Sequence, residues 1–266
     1  MTSLPILPDD VRRELDDLRR VVGDLTRRHA DVREVLAVHV RGGDLTFEQH
    51  RMRATIERLV EVIGGEPASA NDFAECCLVG QTLDDGVFWF GSGVLVSQRV
   101  VLTANHLASK GRTPDVVALP TDGDTVPAGV VKRGTFIPKP STDIAVIVLA
   151  DDAGVASIAL ASPADIETAT GTTVVGFGSN SIGMSLLNRK RDVELDIKSR
   201  TAQEFIAGRS GKGVCKGDSG GPAYIMVDGN RLLAGITRGP ELPNGLCGEN
   251  GRFTRVDAHM AFIEQF

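Results

Sequence analysis

The chain has 266 residues, 42% of them hydrophobic, and a formal net charge of −6. That length holds one large domain or a domain with an appendage, and the acidic balance argues against nucleic acid as a partner. No run of about 18 apolar residues occurs, so no membrane span is expected.

The chain opens with "MTSLPILPDDVRRELDDLRR", which lacks an apolar core flanked by basic and small residues. It is not a secretory signal, and the cytoplasm is the expected location. Val11, Leu15, Leu18, Val22, Leu25, His29, Val32 and Leu36 then recur at alternating steps of four and three. That spacing predicts one helix with an apolar stripe from about Asp9 to His39. Gly42 and Gly43 end it, and Thr46 with Gln49 resembles a capping box that opens a second helix. Residues 1–61 are thus expected to form a helical hairpin, serving as a pro-segment or an interaction domain. Residues 9–61 offer the surface for a helical partner. His29 lies on the apolar stripe as a packing residue, and no metal or cofactor is expected.

The pattern changes near residue 64. "VFWFGSGVLV", "RVVLTA", "DVVALP", "DIAVIVLA", "TTVVGFG", "VELDIK", "PAYIMV", "LLAGITRG" and "RFTRV" are short strand-like runs bounded by Gly, Pro, Asp or Asn. Residues 62–266 are therefore read as one all-β domain, an antiparallel barrel or sandwich, closed by a short helix in "AHMAFIEQF". The four cysteines are too few for a disulfide scaffold in a chain of this length. Cys76 and Cys77 are read as buried strand thiols.

The chemistry is carried by "CKGDSGGP", residues 215–222. A lone serine hydroxyl is a poor nucleophile, and a Gly-rich turn is useful where backbone N–H groups must face a developing negative charge. A base and an orienting acid are then required. Of the five histidines, only His106 follows a β-branched run, in "VVLTANHLA", where a strand would hold it and a loop would expose it. Asp143 heads the apolar run "DIAVIVL", and a carboxylate at the edge of a core needs a partner such as an imidazole N–H. A rival reading takes Gly217, Ser219 and Gly221 as the nucleophile elbow of an α/β-hydrolase with His259 as the base. That elbow needs a following helix, whereas Pro222 and the strand-like "AYIMV" follow here.

In the order His106, Asp143, Ser219, these motifs make the chain resemble the trypsin/chymotrypsin-like serine peptidases, of the bacterial type, over about residues 62–266. The resemblance implies two six-stranded antiparallel β-barrels with the site in the cleft between them. It implies a catalytic triad of His106, Asp143 and Ser219, and an oxyanion hole from the N–H groups of Gly217 and Ser219. Gly213, Val214, Thr237, Gly239 and Gly251 match substrate-pocket positions. Gly213 stands where trypsin has an aspartate, so a Lys or Arg substrate residue has no evident counter-charge. Arg238 stands where an aromatic residue is usual, and it and Arg252 are read as solvated, with a preference for acidic substrates as the alternative. Phe90 and Leu107 replace a family disulfide with an apolar contact. Cys215 and Cys247 match a pair that braces the pocket, a bond expected to be absent or transient in a reducing compartment. "VIGGEPAS" resembles the family's mature start, which implies cleavage between Glu61 and Val62 by an activating protease. The freed amine would then pair with Asp218. The implied function is an endopeptidase acting on proteins or peptides. The alternative is a scaffold whose helical segment recruits partners to an inert protease-like domain.

Overall fold

A computed structural model describes residues 65–109, 111–123, 126–178, 189–241 and 250–266. The expected helical hairpin, Val62 and Cys247 lie outside the described residues.

The first barrel is built from β2 (Cys76–Leu83), β3 (Gly86–Ser97), β4 (Val100–Thr103), β5 (Val116–Ala118), β6 (Val131–Pro138) and β7 (Ala145–Leu149). Its strands are antiparallel in the order β2-β3-β4-β7-β6-β5, and β5 returns to β2 to close the wall. Closure leaves no unpaired strand edge. Strands β4 and β7 are short runs of branched apolar residues, and Val101, Leu102, Ile147 and Leu149 are fully buried. Burying each of these side chains stabilises the fold by roughly 1.5–3 kcal/mol. Thr103 pairs with Ala145, so β4 ends beside the start of β7. His106 and Asp143, just outside that pair in sequence, therefore emerge at the same end of the barrel.

The second barrel uses β8 (Gly171–Gly176), β9 (Arg191–Arg200), β10 (Glu204–Gly208), β11 (Pro222–Val227), β12 (Asn230–Pro240) and β13 (Gly251–Arg255). Their order is β9-β10-β13-β12-β11-β8, closed by pairing of β8 with β9. A further strand, β1 (Glu66–Pro67), adds to the outside of β9, and the chain then crosses to β2 in the other barrel. The expected pair of six-stranded barrels is present. One apolar cluster runs through both, from Leu78 and Ile147 in the first to Phe205 and Ile236 in the second.

Besides the closing helix, the domain contains one that the strand-like runs did not announce. Helix α1 (Pro163–Thr168) lies on the connection between the barrels. Ser162 Oγ accepts from the Asp165 N–H, Asp165 reaches back to the Ser162 N–H, and Pro163 occupies the first turn. That reciprocal cap supports six residues that carry no apolar periodicity. At the carboxyl end, a 3₁₀ turn at Asp257–His259 leads into α2 (Met260–Ile263). There Lys139 Nζ lies 2.8 Å from the buried His259 Nδ1 and ties the closing helix to the first barrel.

Candidate active site

His106 occupies a 3₁₀ turn, Asn105–Leu107, directly after β4. Its neighbours anchor it on both sides. The Leu107 side chain is buried against Gly91, where an added Cβ would lie 2.5 Å from it. Asn105 Nδ2 donates to the Thr142 carbonyl at 2.9 Å and so joins the turn to the loop that carries Asp143. Phe90 and Leu107 are both buried in one apolar cluster, as expected for positions without a disulfide.

Asp143 Oδ1 accepts from the His106 backbone N–H at 2.9 Å, and the two carboxylate oxygens lie 3.0 and 2.9 Å from His106 Nδ1. Burial pushes the Asp143 pKa up, but bonds and charge from His106, with Arg238 behind them, outweigh it and hold the carboxyl below its ordinary range. An ionised carboxylate only accepts hydrogen bonds, so the proton of a neutral His106 lies on Nδ1 and Nε2 is left as the basic nitrogen. The imidazole is 42% exposed while the carboxylate is 13% exposed, which presents the base outward and keeps the acid behind it.

The serine lies in the loop between Cys215 and β11. Two positive φ angles, +99° at Gly217 and +86° at Gly220, shape the turn and favour glycine at both places. At Gly220 an added Cβ would also lie 2.2 Å from Ser92 O and from Thr103 Oγ1, and 3.0 Å from Ala104 N. The residue after Ser219 is thus pressed against the end of β4, two residues short of His106. The Asp218 N–H donates to Cys215 O, the Gly220 N–H to Thr237 O and the Gly221 N–H to Asp218 O. Among the described residues, the N–H groups of Gly217 and Ser219 have no acceptor. Buried backbone donors are rarely left unpaired, and two of them in one tight turn form a place for an anion. The Ser219 hydroxyl and His106 Nε2 make no hydrogen bond among the described residues, a leg that commonly tightens only when substrate binds.

Asp218 is buried, and its two oxygens accept from Gly178 N at 2.7 Å and Cys215 N at 2.8 Å. Burial pushes its pKa up to about 6 against those two bonds. Of the expected pocket residues, Gly213, Val214, Thr237 and Gly251 are buried and Gly239 is half-buried. Gly251 faces Val214, whose Cγ2 lies 2.8 Å from where a Cβ would stand, and Gly239 pairs with Arg252 on the neighbouring strand. Cys215 is disulfide-bonded, which corrects the expectation of an absent or transient bond. That expectation rested on the assumed compartment and not on geometry. Cys76 and Cys77 are free buried thiols. Burial pushes both free thiols up, so neither is a nucleophile near neutral pH.

Both arginines reach solvent, as expected, but each also pairs with an acid. Arg238 is the extra residue of a β-bulge between Thr237 and Gly239. Its Nε lies 3.5 Å from Asp143 Oδ2, and its Nη1 pairs with Glu204. Arg252 reaches the other Glu204 oxygen at 3.4 Å. Bulges re-aim side chains, and this one directs a cation at the carboxylate behind His106. Glu204 and Ser92 escaped the sequence reading. A serine inside the apolar run of β3, flanked by two glycines, was the available signal for Ser92.

No group of three or more His, Cys, Asp or Glu side chains among the described residues is arranged to hold a metal ion. Comparison with known proteins matches residues 62–263 to the family described as Trypsin. Melanization protease 1 of Drosophila melanogaster is 38% identical over 68 residues, which cover 24% of this chain and 17% of that protein.

Proposed function

The chain belongs to the trypsin family, and from that premise we propose that it is a serine endopeptidase acting through Ser219, His106 and Asp143. The observation that carries this reading is the pair of N–H groups, Gly217 and Ser219, that have no acceptor among the described residues, on a loop pressed against the strand that ends before His106. In the first step His106 Nε2 takes the proton of Ser219 as its oxygen attacks the substrate carbonyl. Asp143 holds the tautomer and stabilises the imidazolium. The oxyanion is received by the Gly217 and Ser219 N–H groups. His106 then protonates the departing amine, an acyl-enzyme remains on Ser219, and water releases it by the same steps in reverse roles.

The pocket lining of Gly213, Val214, Thr237, Gly239 and Gly251 carries no charge, which favours an uncharged side chain before the scissile bond. For regulation we infer cleavage between Glu61 and Val62 by an activating protease, with residues 1–61 as the pro-segment. Asp218 supports this switch, since two backbone donors and no cation satisfy it among the described residues. An arriving ammonium would stabilise the ionised carboxylate and the loop around it.

Labelling of the full-length chain with a fluorophosphonate, before and after cleavage at Val62, tests the reading. Labelling that disappears in Ser219→Ala is expected. A folded protein that neither form of treatment renders reactive would leave the scaffold role instead.

A further inference from the structure

Ser92 lies on β3 of the first barrel and is fully buried, yet its hydrogen bonds reach the serine loop of the second. Its hydroxyl donates to the Gly217 carbonyl at 2.8 Å and accepts from the Phe177 N–H at 3.1 Å. Its backbone N–H donates to the Ser219 carbonyl at 2.9 Å, and its own carbonyl accepts from Thr103 Oγ1 at 2.8 Å. A serine has one hydroxyl proton, and here it is committed to Gly217.

That choice of partner matters. Gly217 has no side chain to hold it, and glycine moves readily between the two halves of φ space. A rotation of the peptide before Gly217 would turn its N–H away from the anion position. Ser92 fixes the carbonyl of Gly217 with its side chain and the carbonyl of Ser219 with its backbone. Those carbonyls belong to the peptides that follow Gly217 and Ser219, one on each side of the peptide that carries the Ser219 N–H, and among the described residues the Gly217 and Ser219 N–H groups have no acceptor. The hydroxyl also holds Phe177, whose neighbour Gly178 donates to Asp218.

We propose that Ser92 is a positioning residue for the reaction: its hydroxyl locks the peptide after Gly217, which joins the peptides bearing the Gly217 and Ser219 N–H groups, so that both groups point at the developing oxyanion. The inference rests on the serine-peptidase reading of the same loop. It assigns part of the rate to a side chain that touches neither substrate nor the reacting atoms.

The test compares wild-type protein, Ser92→Ala and Ser92→Cys in the full-length chain, uncut and cut before Val62. Cysteine keeps the shape of the site but is a weak donor, so it decides the matter should alanine fail to fold. The expected result is a fall in kcat of about tenfold to hundredfold with KM held within about twofold. The affinity for a peptidyl boronate, which mimics the tetrahedral state, should fall by the same factor as kcat/KM. Unchanged kcat in a folded variant, or a loss confined to KM, would overturn the proposal while leaving the peptidase reading intact. A wild-type protein that is inactive and unlabelled in both forms overturns the peptidase reading, and this inference with it.

Discussion

The half of the site that carries His106 and the half that carries Ser219 are held by different means. His106 and Asp143 are joined by side-chain bonds at a barrel rim, with charge on the carboxylate and Arg238 behind it. The serine loop is held by its backbone, through Ser92, Thr237 and the buried Asp218. In the proposed reaction, the charge that must change is kept near solvent, where a proton can move and be replaced. Donors that must not move are set in a buried network, where an unmade hydrogen bond costs about 1–3 kcal/mol.

Breaking the element common to both halves should have the largest effect. Ser219→Ala and His106→Ala are each expected to lower kcat/KM by about 10⁵-fold or more, with the double variant little worse than either, because the groups act as one unit. Steady-state kinetics on the folded variants checks this, and additive losses would separate the halves. Next comes the charged half alone. Asp143→Asn should reduce kcat by about 10⁴-fold while the thermal midpoint changes little, since the wrong imidazole tautomer is then favoured.

The buried half has its own signature, in stability against pH. Asp218 holds its proton to about pH 6 in the folded chain, whereas the ordinary value is 3.8. Between those values the folded state binds more protons than the unfolded state, so stability falls as pH rises through that window. The uncut chain should lose about 3 kcal/mol from this group between pH 3.8 and pH 6. Urea unfolding of wild type and Asp218→Asn at pH 4 and pH 7 isolates the difference, and parallel behaviour of the two would remove Asp218 as its source.

The smallest effect sharpens the charged half. Arg238 is 45% exposed, so its hold on Asp143 is open to screening. Arg238→Gln should lower kcat/KM about twofold to fivefold at low salt, and the ratio to wild type should approach one near 1 M salt. A loss that is independent of salt would make Arg238 a packing residue.

The same division explains what the sequence disclosed. Runs such as "RVVLTA" and "DIAVIVLA" are buried on both sides, and their branched residues announce strands β4 and β7. Strand β6 mixes Lys132, Arg133 and Gly134 with apolar residues because much of it faces solvent, and it escaped notice. Strand β10 has only five residues, too few for an alternation to stand out, and α1 rests on its cap rather than on an apolar face. His106, Asp143 and Ser219 were legible because each stands out from its local pattern. The bond from Ser92 to Gly217 spans 125 positions, and only closure of both barrels brings those residues together. The approach of Arg238 to Asp143 depends likewise on a bulge that adds one residue to β12, a register detail that composition does not encode.

The pairing of β1 with β9 has a consequence for reach. Gly65 is buried, its carbonyl accepts from Arg191 Nη1 at 3.1 Å, and Glu66 pairs with Asp192, so the chain is moored from residue 65 onward. A cut after Glu61 would free only Val62, Ile63 and Gly64 ahead of that mooring. Three residues extend at most about 10–11 Å, so the new amine would search a small sphere around a fixed point. Where that sphere takes in Asp218, such a short tether sets an effective concentration in the millimolar range or above, whatever the concentration of the protein. Activation by this route would therefore follow the cut as a first-order event within one molecule. An untethered peptide with the same terminal residues would have to reach comparable concentrations to substitute for it.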